Sequence, residues 1–422
     1  MKRFQNHASI ESASRITRRN FVIGAASTLL TQFSPRLWAA CPDGTKQTYK
    51  GCEATFKTDS TPQSASGVPS LSEVARSKGI DIGTALVTAA TDDWGMFEDA
   101  YGRYDAYNNR LLLELIIRHC SSISPDWCLK PEYVAPAQET RNFRPAQRMY
   151  DFCQRHGKSF HGHTLFWDQS PLSWAQNESF DEAKGLYGGY IKEVISRFPN
   201  IASWDVLNEI IADPESASID KRLRKTFFLS RFGIDFVEYC LREARAAAPH
   251  AKLTINEYNL SCAGEHCSRK RKDTLSVIRE LKDRGAPLDA VGIQGHLGGN
   301  WFGNFHPQKT LGFIRRLEEM GLDVFISEMD INDLNFSKSI EQRDEQVASF
   351  YYEFLSQVLE SKAVKKVCFW GISDAQHWIV RGEGGRTIKG ALPRPALFDS
   401  NLNAKPSYWA VIKALEGAPA RS

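Results

Sequence analysis

From about residue 72 to the C-terminus, short apolar, β-branched runs alternate with amphipathic helical patterns, and this alternation constrains the fold most. The helical patterns repeat apolar residues at three- and four-residue spacing, for example over 233–248 and 307–320. The apolar runs predict eight buried parallel strands, over 80–87, 120–123, 159–167, 202–209, 252–258, 290–297, 323–331 and 365–372. We therefore predict an α/β fold, a single (β/α)8 TIM barrel spanning 72–422.

An open, doubly wound sheet is the alternative fold for such an alternation. A glycine-rich phosphate loop usually marks its ligand crevice, and none follows any predicted strand. The chain also lacks the internal repeats of a solenoid.

Residues 1–40 have the organisation of an export signal. The paired arginines Arg18 and Arg19 precede a short apolar stretch over 21–30, and small residues close the segment. This order predicts a cleaved twin-arginine signal peptide, and a basic amphipathic helix is the alternative. Because the apolar stretch is too short to span a bilayer, we expect a soluble mature protein, periplasmic or secreted.

The formal net charge of +3 is concentrated in that segment, which carries six basic residues and one acidic residue. The remaining chain is nearly neutral, at −2. Without a basic patch or a run of charge, we expect no binding to nucleic acid and none to membranes after signal removal. Residues 41–71 are rich in Thr, Ser, Gly, Pro and Lys, which predicts an N-terminal tail or linker.

Nine cysteines in an exported chain suggest disulfide bonds, and an odd number leaves at least one thiol unpaired. Three pairs are close enough in sequence to bridge local loops: Cys41 with Cys52, Cys120 with Cys128, and Cys262 with Cys267. Cys153, Cys240 and Cys368 fall in apolar patterns and are expected to be buried. The spacing over 262–267 is not that of a zinc finger or ribbon, so a disulfide or plain loop is expected there rather than a metal site.

Polar and aromatic residues stand at the carboxyl end of nearly every predicted strand, where barrel enzymes hold their active sites. Two are glutamates, Glu209 and Glu328. The others are His163, Trp167, Asn208, Asn256, Tyr258, Gln294, His296, Asp330, Trp370 and Asp374. Such a set suits a neutral polyol, because hydroxyl groups need hydrogen bonds and sugar rings need flat apolar faces. Two carboxyl groups facing each other across a sugar suffice to hydrolyse a glycosidic bond, so we predict a glycoside hydrolase.

Some of these residues also have structural interpretations. His161 and His163 share one face of a strand and are geometrically able to bind a metal, but no carboxylate or cysteine partner is evident beside them. Trp370 and Trp378 suit a hydrophobic core equally well, and burial propensity alone favours the core for Trp378. A glutamate that ends an apolar strand must be hydrated, paired or catalytic.

Taken together, these motifs resemble the family 10 glycoside hydrolases, chiefly endo-β-1,4-xylanases. The matching segments, in family order, are Gly162-His-Thr-Leu-Phe-Trp167, Trp204-Asp-Val-Leu-Asn-Glu209, Ile255-Asn-Glu-Tyr-Asn259, Gly292-Ile-Gln-Gly-His-Leu297, Ile326-Ser-Glu-Met-Asp-Ile331, Phe369-Trp-Gly-Ile-Ser-Asp374 with Trp378, Leu397-Phe-Asp399 and Lys405-Pro-Ser-Tyr408. The resemblance implies an endo-acting, retaining hydrolase of a β-1,4-linked polysaccharide, with xylan as the leading substrate.

The resemblance further implies that Glu209 is the general acid/base and Glu328 the nucleophile. The chemistry agrees, because the nucleophile must be ionised while its partner holds a proton at the start. Bonding of Glu328 to the sugar removes its charge, so Glu209 then gives up a proton more readily and activates water. Retention needs the carboxyl groups about 5 to 5.5 Å apart.

The same resemblance implies a set of sugar-binding residues. His296 would hold the orientation and charge of Glu328, and Asn208 would bond the sugar's 2-hydroxyl group. The remaining residues of this set are Lys130, His163, Trp167, Tyr258, Gln294, Trp370 and Trp378. We expect no cofactor and no metal, and a monomer whose partner is a polysaccharide or oligosaccharide.

Two regions depart from the family pattern. In place of Phe-Asn, Thr-Pro-Glu-Asn and Met-Lys, the chain has Cys120-Ser121, Ser124-Pro-Asp-Trp127 and Leu129-Lys130. After Trp167, Asp168-Gln-Ser-Pro171 replaces the family's His and later Gln. Loss of both asparagines removes hydrogen bonds to sugars on the non-reducing side, so another β-linked glycan, such as a bacterial exopolysaccharide, is the alternative substrate. Transglycosylation and a non-catalytic carbohydrate-binding barrel are further alternatives.

Overall fold

The structure, a computed structural model, describes residues 45–48, 51–54, 63–88, 105–212, 220–298, 305–334, 336, 339–380 and 392–421. Its central strands are β1 (Asp81–Leu86), β2 (Ser122–Pro125), β3 (Ser159–Trp167), β4 (Ser203–Asn208), β5 (Lys252–Glu257), β6 (Ala290–Ile293), β7 (Asp323–Asn332) and β8 (Val364–Phe369). Each strand pairs in parallel with the next, and β8 pairs with β1, so the sheet closes into a barrel. The predicted (β/α)8 fold is confirmed.

Helices occupy the connections between these strands. They are α1 (Leu71–Arg76), α2 (Arg110–His119), α3 (Pro131–Val134), α4 (Arg144–Arg155), α5 (Phe180–Arg197), α6 (Phe227–Phe232), α7 (Ile234–Ala247), α8 (Glu265–Asp283), α9 (Pro307–Glu319), α10 (Ile340–Val358) and α11 (Pro406–Gly417). The helical patterns expected over 233–248 and 307–320 match α7 and α9 to within one residue at each end. Among the described helices, none has the length and apolar character needed to cross a membrane.

Short antiparallel strands join the two ends of the barrel chain. Gln63–Ser64 pairs with Asn403–Ala404, and the Arg421 amide donates to the Lys78 carbonyl oxygen at 2.9 Å. Two further strands, Thr45–Thr48 and Gly51–Ala54, pair antiparallel with each other. After β6, the short strand His296–Gly298 also pairs in parallel with β7, so it continues the pairing that β6 makes with the earlier part of β7.

The cysteines confirm one predicted disulfide and contradict another. Cys262 and Cys267 are bonded just before and within α8, with Cα atoms 5.7 Å apart. The prediction for Cys120 with Cys128 is wrong, since both are free and buried. They lie before and after β2, whose extended residues advance about 3.3 Å each and so separate the two ends of the strand.

The other cysteines fall into two groups. Cys153, Cys240 and Cys368 are free and buried, as predicted. The pair suggested for Cys41 and Cys52 lies outside the described side chains. His266 lies close enough to both bonded sulfur atoms to form a metal-binding group with them, but a disulfide withholds both thiolates from a metal ion.

Close packing between β3 and β4 depends on a glycine. Gly162 pairs with Trp204 in the strand register, and Trp204 is almost fully buried. A Cβ atom at residue 162 would lie 2.0 Å from the Trp204 ring. The indole therefore occupies the space that any larger residue at this position would need.

Replacement of Gly162 by alanine should destabilise the protein by about 1–3 kcal/mol, because the Trp204 ring or the backbone must shift to admit the methyl group. Gly185→Ala is the matched control, since a Cβ there meets nothing within 4 Å and alanine favours a helix interior by roughly 0.5–1 kcal/mol. Urea unfolding measures both. Equal stability of the Gly162→Ala variant and the native protein would contradict the packing described.

Candidate active site

The two predicted catalytic glutamates lie at the carboxyl end of the barrel. Glu209 directly follows β4, with a left-handed backbone (φ 58°) that is uncommon for a residue with a side chain. Its amide donates to the Asn256 carbonyl oxygen at 2.9 Å. Glu328 lies within β7, and its amide donates to the Gln294 carbonyl oxygen at 2.8 Å. Both residues are nearly buried, with 9% and 5% of their surface exposed.

A chain of three amide side chains connects the two carboxyl groups. Asn256 Nδ2 donates to Glu328 Oε1 at 2.6 Å and to Asn208 Oδ1 at 3.0 Å. Gln294 Nε2 donates to Glu209 Oε1 at 3.0 Å and to the same Asn208 oxygen at 3.5 Å. All five residues are buried, so the two glutamates belong to one hydrogen-bonded site that is shielded from bulk water.

Asn256 owes its position to small residues on β6 and β7. It pairs with Gly292 in the strand register, and a Cβ at Gly292 would lie 2.2 Å from Asn256 Oδ1. Ser327 Oγ donates to that oxygen at 2.5 Å. These contacts fix the amide so that both of its hydrogens are available to Asn208 and Glu328. The sequence placed Asn256 at a strand end but did not select it as a site residue.

His296 bridges Glu328 and a second carboxyl group. Its Nε2 lies 3.2 Å from Glu328 Oε2, and its Nδ1 lies 3.0 Å from Asp330 Oδ2. Burial opposes a charge on the imidazole, but Asp330 and then Glu328 outweigh it and raise the pKa of His296 to about 10. Trp378 Nε1 donates to the same Asp330 oxygen at 2.6 Å, and its ring centroid lies 5.2 Å from that of His296. A charged imidazolium therefore lies against Glu328.

Glu209 has a different set of neighbours on its second oxygen. Gln169 Nε2 donates to Oε2 at 3.2 Å, and Arg224 Nη2 lies 3.7 Å from the same atom. Arg224 also donates a hydrogen bond to the Tyr258 hydroxyl, and Lys270 Nζ lies 3.4 Å from the Tyr258 ring centroid. Tyr258 is thus connected to Glu209 through Arg224. Neither Gln169 nor Arg224 was predicted as a site residue from the sequence.

Antiparallel backbone pairing between 210–212 and 222–224 places Arg224 beside the site. The Arg224 amide donates to the Ile210 carbonyl oxygen at 2.8 Å, and the Ala212 amide donates to the Arg222 carbonyl oxygen at 2.8 Å. Arg222 is anchored in turn by an ion pair with Glu280 of α8 at 2.6 Å. This contact is not evident from the sequence, because it depends on the backbone pairing of two segments that are separated along the chain.

His161 and His163 share one carboxyl group. Asp205 Oδ2 accepts from His161 Nε2 at 2.9 Å and from His163 Nδ1 at 2.8 Å, and Thr254 donates to the other oxygen. Burial opposes ionisation of Asp205, but His161 and then His163 hold the pKa of its carboxyl well below the usual range. The expectation that this pair lacks a carboxylate neighbour is therefore wrong. Both rings bond the same oxygen atom, which fixes their orientation.

The remaining predicted residues lie around this centre. The Trp370 ring packs edge-on against His163, with centroids 5.2 Å apart. Lys130 Nζ lies 4.6 Å from the Trp167 ring centroid. The indole Nε1 of Trp167 is buried and has no hydrogen-bond partner among the described residues, so it has a donor to offer.

Asp374 does not belong to this group, although it stands at a strand end. Its Oδ2 accepts from Lys405 Nζ at 3.0 Å, and its Oδ1 accepts from the Ala396 amide at 2.9 Å. Both oxygens therefore serve the packing of the C-terminal segment.

The charge on His296 can be tested by NMR. With a pKa of about 10, both ring nitrogens should stay protonated at pH 8, whereas buried His119, with a pKa lowered to about 4, should be neutral there. Nitrogen-15 shifts of the imidazoles report the two states. Asp330→Asn should make His296 lose its proton at lower pH, because it removes the stronger stabilising charge. A neutral His296 at pH 7 in the native protein would contradict the ion pair with Glu328.

Comparison with known proteins agrees with this geometry. The sequence profile of glycosyl hydrolase family 10 matches residues 70–414. A β-1,4-xylanase from Dictyoglomus thermophilum is 30% identical over 308 residues, which cover 71% of this chain and 83% of that protein. Exoglucanase XynX from Acetivibrio thermocellus is 28% identical over 333 residues, which cover 72% of this chain but 28% of that longer protein. Xylanase 10B from Thermotoga maritima has a similar structure, with a TM-score of 0.68 and 27% identity over 82% of this chain and 98% of that one. The chain therefore belongs to glycosyl hydrolase family 10.

Proposed function

We propose that the protein is an endo-acting hydrolase of β-1,4-linked xylan that retains the anomeric configuration. Glu328 is the nucleophile and Glu209 the general acid/base. The observation that carries this assignment is the asymmetry of the linked pair: His296, a cation, pairs with Glu328, while neutral amides occupy the nearer contacts of Glu209. A nucleophile needs a negative charge, and an acid must first hold a proton.

In the first step, Glu328 attacks the anomeric carbon and the leaving oxygen takes a proton from Glu209. Asn256 and His296 each bind one oxygen of Glu328, which orients the carboxylate for attack. Asp330 contacts the other imidazole nitrogen of His296, and Trp378 donates a hydrogen bond to Asp330. The product is a glycosyl ester of Glu328 and a free sugar end.

In the second step, Glu209 acts as a base. The ester carries no charge, so the negative charge that earlier opposed ionisation of Glu209 is gone. Water attacks the anomeric carbon, transfers a proton to Glu209 and releases Glu328 as a carboxylate. Gln294 and Gln169 donate to the two oxygens of Glu209 and hold it in place through both steps.

Xylan is the proposed substrate because the named similar proteins include xylanases. A different β-linked glycan is the second candidate, for a structural reason. Trp127, where the family has an asparagine, is buried and packs edge-on against Tyr133, and its indole nitrogen donates to the Thr88 carbonyl oxygen at 3.1 Å. That donor is therefore engaged within the protein and not offered to a sugar. The similarity to an exoglucanase also favours a wider range of substrates.

Glu209→Gln should lower the rate of xylan hydrolysis by about 10²- to 10⁴-fold, the usual contribution of acid/base catalysis. Glu328→Gln should lower it by about 10⁴-fold or more, because no covalent intermediate can form. Release of reducing sugar measures both. Glu319→Gln, at the exposed end of α9, is the matched control and should keep full activity.

The two roles are separable by azide rescue and product stereochemistry. In Glu328→Ala, azide replaces the nucleophile and should give a glycosyl azide of inverted configuration. In Glu209→Ala, azide should attack the glycosyl-enzyme and give the retained configuration. NMR of the products distinguishes them. The opposite pattern would reverse the two assignments.

A carbohydrate-binding barrel is the separate outcome of an assay with xylan, glucan, mannan and exopolysaccharide. It would be indicated if the wild-type protein bound one of these glycans but cleaved none.

We further propose that residues 1–40, which lie outside the described residues, are a twin-arginine export signal. The support is the order of Arg18 and Arg19, the apolar stretch and the small residues. Replacing both arginines by lysine should leave an uncleaved precursor in the cytoplasm, detected by fractionation and N-terminal sequencing. The same change at Arg315 and Arg316 of α9 is the control. Normal cleavage of the paired-lysine variant would overturn the proposal.

A further inference from the structure

The backbone leaves strand β4 at Glu209. The Glu209 amide donates to the Asn256 carbonyl oxygen, which continues the pairing of β4 with β5, and the φ of 58° at Glu209 then changes the direction of the chain. A left-handed backbone is unfavourable for a residue with a side chain, so it persists only where neighbouring contacts hold it. The contacts that hold this turn therefore also determine where the Glu209 carboxyl group lies.

Glu257, the last residue of β5, supplies one of these contacts. Its Oε1 accepts from the amide of Ile211, two residues after Glu209, at 2.7 Å. Its Oε2 lies 2.9 Å from Lys270 Nζ of α8, and the two side chains are 0% and 3% exposed. A buried ion pair often stabilises a fold no better than apolar residues of the same size, so stability alone does not account for this pair.

A second set of contacts reaches the same turn. Residues 222–224 pair antiparallel with 210–212, and Arg224 donates to the Tyr258 hydroxyl group. Lys270 Nζ lies 3.4 Å from the Tyr258 ring centroid. Lys270 therefore links the side chain that binds the turn to the one that binds Arg224.

We propose that Glu257 is a positioning residue for the acid/base Glu209. It holds the Ile211 amide and so fixes the left-handed backbone at Glu209. The carboxyl group of Glu209 then stays where Gln294 and Gln169 donate to its two oxygens. Loss of the contact with Ile211 displaces the proton donor from the leaving oxygen. This inference rests on the proposed function, because it takes Glu209 as the acid.

Two double variants that differ only at residue 257 isolate the contact with Ile211. Glu257→Gln/Lys270→Met retains a carbonyl oxygen that can accept from the Ile211 amide, whereas Glu257→Leu/Lys270→Met has no acceptor there. Both variants remove the two charges together, so neither leaves an unpaired charge in the interior.

The readout is kcat/KM for two aryl β-xylobiosides, because this constant reports the first step of the reaction. The 2,4-dinitrophenolate ion leaves without protonation, whereas phenolate needs a proton from Glu209. In the leucine variant, kcat/KM for the phenyl glycoside should fall by about 10- to 100-fold, the usual loss for a misplaced catalytic group. The loss for the dinitrophenyl glycoside should be far smaller. The glutamine variant should stay close to the native protein for both substrates.

Asp374 and Lys405 provide a matched control. They also form a buried pair of a carboxyl group and a lysine, and Asp374 Oδ1 accepts from the Ala396 amide, but they do not contact Glu209 or its turn. Asp374→Leu/Lys405→Met removes the same kinds of contact. It should change the rates for the two glycosides by the same factor.

Equal losses for the two glycosides in the leucine variant would show a general structural role and overturn the proposal. A native rate for the phenyl glycoside in that variant would also overturn it. The same selective loss in the glutamine variant would assign the effect to the lost charges instead of the contact with Ile211, and would overturn it as well.

An ester in place of the Ile211 amide is the second test, in case the leucine variant does not fold. It removes the hydrogen-bond donor and retains every side chain, so the phenyl glycoside alone should react more slowly. Equal effects on the two glycosides, or none, would count against Glu257. Failure of the proposed function is a separate result, since the native protein would then release dinitrophenol no faster than buffer does.

Discussion

The site depends on one buried amide, that of Asn256. Its two hydrogens reach Glu328 on one side and Asn208 on the other, and Asn208 connects onward through Gln294 to Glu209. A fully buried amide that lost either acceptor would leave a donor unsatisfied, at a cost of roughly 1–3 kcal/mol. The position of one carboxyl group is therefore energetically tied to that of the other, although they belong to strands far apart in sequence.

The two glutamates differ in the groups that contact their carboxyl oxygens. Glu328 pairs with His296, whose positive charge is stabilised above all by Asp330. Glu209 accepts from the neutral side chains of Gln294 and Gln169, and the cation Arg224 lies farther away, with its Nη2 3.7 Å from Glu209 Oε2. These different neighbours are the basis for proposing different tasks for two chemically identical side chains.

The sequence predicted those parts of the site that follow from strand position. Glu209 and Glu328 end apolar runs, and parallel strands of a barrel place such ends together. Asp205 was harder to assign, because its contact with His163 depends on the register between β3 and β4. Arg224 reaches Glu209 through backbone pairing between 210–212 and 222–224, which leaves no periodic signal in the sequence.

One disulfide prediction that was based on closeness in the sequence is wrong. Cys120 and Cys128 are close along the chain, but the extended strand β2 lies between them and both thiols are free. Cys262 and Cys267 have no strand between them and do form a bridge. The difference depends on the structure of the intervening residues, which spacing alone does not reveal.

The short strand pair between Gln63–Ser64 and Asn403–Ala404, with the bond from Arg421 to Lys78, holds the two ends of the barrel chain side by side. The linear order of the segments in the gene is then not a requirement of the architecture. A circularly permuted polypeptide, sealed by a short linker between these ends and opened in an exposed loop remote from the glutamates, would preserve every strand neighbour of the barrel.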